Sequence, residues 1–287
     1  MKGIHEVDEI LADGKNFELT TRRLANSLVF GTDESTFHGS GIEYAQPRPY
    51  VPGDSIKLMD WKVTGRTGKH YVKEYQETKR MPVYILLDTS ASMCVSSEAK
   101  SKYAWALYIG AGMALAALGN LKPVGLLGCG ESRVHVKPTL SEGQILQTAH
   151  RLRKHGFLER TSFGKRLKEL GPSLKTRTML VALTDLHDPE AIKALSSLGQ
   201  KHDCMVLHLQ DKAEKSVKGS GLFRGQEAET GFRFLGHGKK NWDNSESCQK
   251  ELLRAGVNYL HLPTNKPMLA KLQMFLARHG QGTGGAR

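Results

Sequence analysis

Two stretches of this chain place oxygen donors directly after an unbroken apolar run. The first is Leu86-Leu87-Asp88-Thr89-Ser90-Ala91-Ser92-Met93, where one carboxylate and two hydroxyls stand two residues apart. An Asp-x-Ser-x-Ser loop offers only oxygen, the donor set that suits a hard divalent cation such as Mg²⁺, which takes near-octahedral geometry and keeps several waters. It holds no evident nucleophile. The second stretch, Arg177 to Leu183 (RTMLVAL), ends in Thr184-Asp185. Capping of the next helix is the weaker account of this Asp, because Asp188-Pro189-Glu190 already supplies a cap and an N-terminal proline for a helix over Ala191 to Lys201.

The elements that must position these residues can be read outward from them. Val83-Tyr84-Ile85-Leu86-Leu87 has the continuous apolar character of a parallel strand covered on both faces. Asp88 then lies at the strand's carboxyl end, where open α/β sheets bind ligands. Tyr103 to Leu118 is an uncharged run of sixteen residues flanked by Lys100 and Lys102. That is short of the roughly twenty residues needed to cross a bilayer. It reads as a buried helix in a right-handed crossover, with Gly110 and Gly112 allowing close approach to the sheet. Pro123 to Cys129 and Ser132 to Lys137 predict a hairpin at one sheet edge. Glu142 to His155 is amphipathic, with Ile145, Leu146, Ala149 and Leu152 near helical spacing. Cys204 to Leu209 and Val257 to Leu262 are further buried strands. Asp211 to Asn241 reads as a long loop or partial hairpin, and Asn244 to Ala255 and Lys266 to Arg278 as closing helices.

Ahead of this α/β region, Lys15 to Leu28 has helical spacing and Gly31 to Gly41 is turn-rich. Between Ile42 and Gln76, short apolar pieces are punctuated by Pro47, Pro49, Pro52, Gly53, Gly65 and Gly68, which predicts brief strands and turns. Arg48, Asp54, Asp60 and Arg66 are candidates for an ion-pair cluster there. The expected organisation is an N-terminal helix and small β-rich segment over 1–80, an α/β domain over 81–280 and a disordered tail over 281–287.

Composition is that of a globular protein, 39% hydrophobic with a net charge of +12. Residues 1–80 carry twelve basic and twelve acidic side chains, so the whole excess lies beyond them. Nine basic residues fall between Arg151 and Arg177, among them Arg160, Lys165 and Arg166. Such a run is either a solvated face or an electropositive patch for an acidic partner. Cys94, Cys129, Cys204 and Cys248 form no close pair and suggest neither a disulfide framework nor a zinc site. With no charged-then-apolar leader at Met1 to Asp13, the expectation is a cytoplasmic protein.

Asp88-Thr89-Ser90-Ala91-Ser92 resembles the metal-ion-dependent adhesion site (MIDAS) of von Willebrand factor A domains. The stretch before it, with Arg48, Tyr50-Val51-Pro52-Gly53-Asp54, Met59-Asp60-Trp61-Lys62 and Gly65-Arg66-Thr67-Gly68, resembles the signature of the bacterial domain-of-unknown-function family 58, over roughly residues 16 to 280. Ser55 and Lys57 stand where an acidic residue and an arginine are expected. The resemblance implies a von Willebrand factor A-like, doubly wound and mostly parallel sheet with a β-rich N-terminal appendage. It also implies a metal site of Asp88, Ser90, Ser92, Thr161 and Asp185. At Thr161 the usual preceding glycines are replaced by Glu159 and Arg160, and Ser162 is the fallback ligand. In such a site the hydroxyls bind the ion (Mg²⁺, with Mn²⁺ or Ca²⁺ as alternatives) and the carboxylates act partly through water, leaving affinity for an acidic residue of another protein. Arg160, Lys165 and Arg166 would then rim the site. The partner class implied is a MoxR-type AAA+ ATPase, which this chain would serve as adaptor or co-chaperone toward a client protein.

Two other classes are carried beside this one. A metal-dependent hydrolase or phosphatase would need a base near the ion, and Asp88, Asp185 and His187 are the candidates. Ser90 occupies the place where the haloacid-dehalogenase phosphotransferases carry a second aspartate, and there is no P-loop, G-x-S-x-G or H-E-x-x-H. Nucleic-acid binding through 151–177 ranks last, because the only aromatics in the run are Phe157 and Phe163.

Overall fold

A computed structural model of the protein describes residues 14–30, 43–76, 81–131, 133–154, 159–215, 222–226, 233–237 and 245–282. The expected loop over Gly31 to Gly41 lies outside them, as do residues 283–287 of the expected tail; residues 281 and 282 close the last helix. The chain divides into two compact units, one of residues 1–37 with 81–287 and one of residues 38–80.

The larger unit is mixed α/β, built on a six-stranded sheet. Its strands are β3 (Val83–Leu87), β4 (Val124–Cys129), β5 (Arg133–Thr139), β6 (Met179–Thr184), β7 (Asp203–Gln210) and β10 (Asn258–Pro263), in the order β10-β7-β6-β3-β4-β5. All neighbours pair parallel except β4 and β5, the hairpin at the edge. From β3 the chain first builds outward through β4 and β5, then returns to place β6 on the other side of β3. The switch point of the sheet therefore lies between the carboxyl ends of β3 and β6.

Every residue of β3, β4 and β6 is buried, because helices cover both faces. Val83, Ile85 and Leu87 join a core with α1 (Gly14–Phe30), α4 (Lys102–Gly119), α5 (Glu142–Arg153) and α10 (Leu269–Gly282). Tyr84 and Leu86 point into a second core with α6 (Phe163–Leu170), α7 (Pro189–Gly199) and α9 (Ser245–Arg254). This alternation is the two-residue period of a strand with an apolar layer on each side. No helix among the described residues is long and apolar enough to cross a membrane.

Helix α4 runs against β3, and its two internal glycines have different partners. A β-carbon on Gly110 would stand 3.0 Å from Ile85 Cγ2 and 3.1 Å from Leu87 Cδ2, so this glycine does bring the helix onto the sheet. A β-carbon on Gly112 would stand 2.6 Å from Leu24 Cδ2. The expectation that both face the sheet is thus corrected: Gly112 admits α1. Between β7 and α9 lie the short α8 (Lys212–Lys215) and an antiparallel pair, β8 (Leu222–Gln226) with β9 (Arg233–His237), where the sequence suggested a loop or partial hairpin.

In the smaller unit, β1 (Glu43–Pro49) pairs antiparallel with β2 (Tyr71–Gln76), and α2 (Trp61–Thr67) lies between them in the chain. Arg48 forms a two-point ion pair with Asp54, both contacts at 2.7 Å, and Asp54 also accepts the Val51 amide. The Arg48 guanidinium holds the Asp54 carboxyl at about 2, below its ordinary value. Asp60 caps α2 by accepting the Val63 amide at 3.1 Å. Gly53 and Gly68 adopt left-handed φ values of 110° and 70°, the latter ending α2. Tyr50 is half-buried, whereas Trp61 and Arg66 are exposed. Within the expected four-residue set, Arg48 and Asp54 form an ion pair, Asp60 caps α2 and Arg66 lies in its last turn.

Candidate functional site

Asp88 extends the β3–β6 ladder one residue past the strand, its amide donating to Leu183 O at 3.0 Å. The buried carboxylate accepts the Ser90 amide on Oδ1 at 3.1 Å and the Thr184 hydroxyl on Oδ2 at 2.7 Å. Burial first, and then the negative charge of Asp185, push the Asp88 carboxyl up to about 6. Ser90 stands at the N-cap of the one-turn helix α3 (Ala91–Cys94). Its hydroxyl oxygen lies 3.0 Å from that of Ser92. The two hydroxyls are hydrogen-bonded to each other, and the same spacing is that of adjacent oxygens about 2.1 Å from one octahedral ion, so the pair is compatible with one edge of a Mg²⁺ shell. Asp88, Ser90 and Ser92 thus form an all-oxygen cradle at the switch point, and the donor set fits a hard divalent cation.

Asp185 reaches the same end of the sheet from β6. Leu186 beside it has φ 55°, an uncommon backbone for a leucine, held by a hydrogen bond from its amide to Thr184 Oγ1 at 3.0 Å. The Asp185 side chain is 1% exposed, and its Oδ2 accepts Lys102 Nζ at 2.8 Å and His187 Nδ1 at 2.9 Å. Its Oδ1 takes the His187 amide at 3.3 Å. Burial opposes the charge on Asp185, yet the Lys102 ammonium and the His187 hydrogen bond hold its carboxyl well below the ordinary range. His187, 52% exposed, is raised chiefly by its hydrogen bond to Asp185.

Lys102 is the first residue of α4 and is 1% exposed. It also pairs with Glu214 on α8. Burial disfavours the ammonium, but the Asp185 and Glu214 charges outweigh this and raise Lys102 above its ordinary value. Glu214 is raised by burial, against the pull of Lys102. Asp211, directly after β7, accepts the Ser97 amide at 2.9 Å and the Ser96 hydroxyl at 3.1 Å, and so fixes the loop leading from the cradle to α4. Asp185, His187 and Glu214 each offer one ligand atom within 4.8 Å of the others, with the ammonium bonded to two of them.

The segment carrying Thr161 is tied to the cradle by a parallel bridge between Ser90 and Glu159, in which the Ala91 amide donates to Glu159 O at 2.9 Å. The Glu159 carboxylate is buried and accepts the Thr89 hydroxyl at 3.2 Å. It fits because residue 130 is glycine: a β-carbon there would stand 1.8 Å from Glu159 Oε2. Thr161 and Ser162 are half-buried, and the Ser162 hydroxyl donates to Cys129 O at 3.4 Å. Of the proposed rim, Arg160 and Lys165 are exposed. Arg166 is a structural clamp, donating to Gly130 O at 2.9 Å and Glu131 O at 2.8 Å and pairing with Glu169.

The residues missed by sequence reasoning are Lys102, Glu159, Asp211 and Glu214. Asp211 had a signal, since the buried run Cys204 to Leu209 also ends in a carboxylate at Gln210-Asp211. Lys102 was visible only as a charge beside an apolar helix.

The uncharacterized proteins Rv1480 of Mycobacterium tuberculosis (strain ATCC 25618 / H37Rv) and Mb1516 of Mycobacterium bovis are each 22% identical to this chain, over 98% of it and 93% of their own length. The family model described as "Protein of unknown function DUF58" matches residues 46–239, which take in most of the smaller unit together with the strands carrying Asp88 and Asp185. On that match the chain belongs to the DUF58 family.

Proposed function

We propose that this protein is a divalent-metal-dependent protein-binding module with a von Willebrand factor A-like fold, and that it acts in the cytoplasm as adaptor or co-chaperone for a MoxR-type AAA+ ATPase. The observation that carries the reading is the convergence of Asp88, Ser90 and Ser92 at the switch point of the sheet, with the two hydroxyl oxygens 3.0 Å apart. Thr161, on the segment bridged to this loop, and Asp185 complete the proposed ligand set, with Asp88 and Asp185 acting partly through water.

The mechanism follows from the charges. The hydroxyls of Ser90, Ser92 and Thr161 would hold Mg²⁺ without neutralising it, and the ion would supply there an affinity for one further anionic oxygen. A glutamate or aspartate of the partner would provide that oxygen. Arg160 and Lys165 accelerate encounter with an acidic surface and make it sensitive to salt.

The test is surface plasmon resonance between the full chain and a MoxR-type ATPase of the same organism, with and without EDTA. Capture is expected in Mg²⁺, with loss in EDTA and in Ser92→Ala. Capture unchanged by EDTA sinks the metal-mediated mechanism, and turnover of a generic phosphoester would favour the hydrolase reading instead.

A further inference from the structure

Asp185 enters the site already engaged. A carboxylate has about four lone-pair positions. Here Oδ2 meets both Lys102 Nζ and His187 Nδ1, and Oδ1 meets the His187 amide. At most one position, on Oδ1, is left for an ion or its water. The ammonium that occupies Asp185 is itself fixed from two sides, because Glu214 pairs with it from α8.

The placement of this lysine runs against local preference. Lys102 opens α4, after the N-cap Ser101, where the helix dipole disfavours positive charge. It is also almost completely withdrawn from water. A cation kept in such a place is held by its two carboxylates, and its charge acts on whatever else occupies the switch point.

We infer that Lys102 is a built-in counter-cation of the metal site, which occupies Asp185 and keeps the affinity of the Asp88–Ser90–Ser92 cradle for divalent ions low until a partner carboxylate completes the shell. The inference rests on the metal-site reading above and adds its control element. Two effects act together: the ammonium withholds a ligand from the ion, and its positive charge opposes a dication at the same buried carboxylate. A partner's carboxylate offsets both by bringing a new negative oxygen. Metal binding and partner binding are then linked, each strengthening the other by the same factor.

The test is Mn²⁺ binding to the full-length protein in the absence of any partner, followed by isothermal titration and by the EPR signal of free Mn²⁺. Lys102→Met removes the charge but leaves two buried carboxylates unpaired, so Lys102→Met/Glu214→Gln is measured beside it, with circular dichroism to establish folding. The double variant leaves the net charge unchanged but releases Asp185 from the ammonium, and is expected to bind Mn²⁺ roughly tenfold or more tightly than wild type. Adding Asp88→Ala should abolish that gain. A folded double variant with wild-type affinity overturns the inference and leaves the metal-site reading standing. A gain that survives Asp88→Ala also overturns it, because the ion would then sit on Asp185 and His187. Absence of Mn²⁺ binding at millimolar concentration in both wild type and variants overturns the metal-site reading, and the inference with it.

Discussion

Thr184 donates its hydroxyl to the buried carboxylate of Asp88 at 2.7 Å, joining the ends of two adjacent central strands across 96 residues of sequence. The same oxygen of Thr184 accepts the Leu186 amide, so one hydroxyl holds both the Asp88 carboxylate and the left-handed turn after Asp185. Thr184→Val keeps the shape and removes both bonds. It should cost about 1.5–3 kcal/mol of unfolding free energy, as for a hydrogen bond to a charged group. Urea denaturation measures this, and a loss below a few tenths of a kcal/mol would show the bond to be incidental.

Asp88 sets a pH dependence whose sign can be worked out. Its carboxyl is pushed up to about 6 in the folded protein from 3.8, by burial and by Asp185. Its contribution to stability is therefore fully present below 3.8 and is lost as pH rises through about 6. Relative to wild type, Asp88→Asn should accordingly be more stable at pH 7 than at pH 4 in the metal-free protein. Asp185, held well below its ordinary value, works in the opposite sense and favours the folded state above 3.8. Thermal midpoints of wild type and Asp88→Asn between pH 4 and 8 test this, with the gap expected to close toward pH 4.

The same substitution separates stability from metal response. Millimolar Mg²⁺ or Mn²⁺ should raise the midpoint of the wild type by linkage of binding to folding. Asp88→Ala and Asp88→Asn should lose most of that rise. Because the ion requires the ionised carboxylate, the wild-type rise should also shrink below about pH 6. Equal shifts in mutant and wild type would remove Asp88 from the site.

Lys102→Ala leaves Asp185 and Glu214 buried without their shared cation. Breaking a buried ion pair from one side costs about 3–5 kcal/mol. The neutralising second change Glu214→Gln should return part of that loss. A double-mutant cycle by chemical denaturation reads the coupling, and strictly additive losses would argue against the Lys102–Glu214 contact.

Gly112→Ala places a methyl against Leu24 and should loosen α1 from α4, costing about 1–3 kcal/mol as an overpacked contact. Leu24→Ala in the same chain should absorb part of that cost. At the rim, Arg166→Glu should destabilise the fold, because its guanidinium holds Gly130 and Glu131 carbonyls, whereas Lys165→Glu should leave the midpoint unchanged and act only on association rates.

The elements of this protein are local facts, and the sequence by itself determined them. An unbroken apolar run such as Val83 to Leu87 becomes a doubly covered strand because each residue must find an apolar layer on its own face, and a carboxylate directly after it is left at the strand end. The strand-end positions of Asp88 and Asp185 were legible for that reason, and so was the cap at Asp188, whose carboxylate accepts the Glu190 amide at 2.9 Å. Strand order decided the rest. Lys102 meets Asp185 and Glu214 across 83 and 112 residues, and only the placement of β6 and β7 beside β3 brings them together. Arg166, one basic residue among nine in its stretch, took its role from carbonyls 35 and 36 residues away. Periodicity reports which face of an element is buried; it carries no information about which charge will lie opposite, because that depends on desolvation and on pairing between segments distant in the chain.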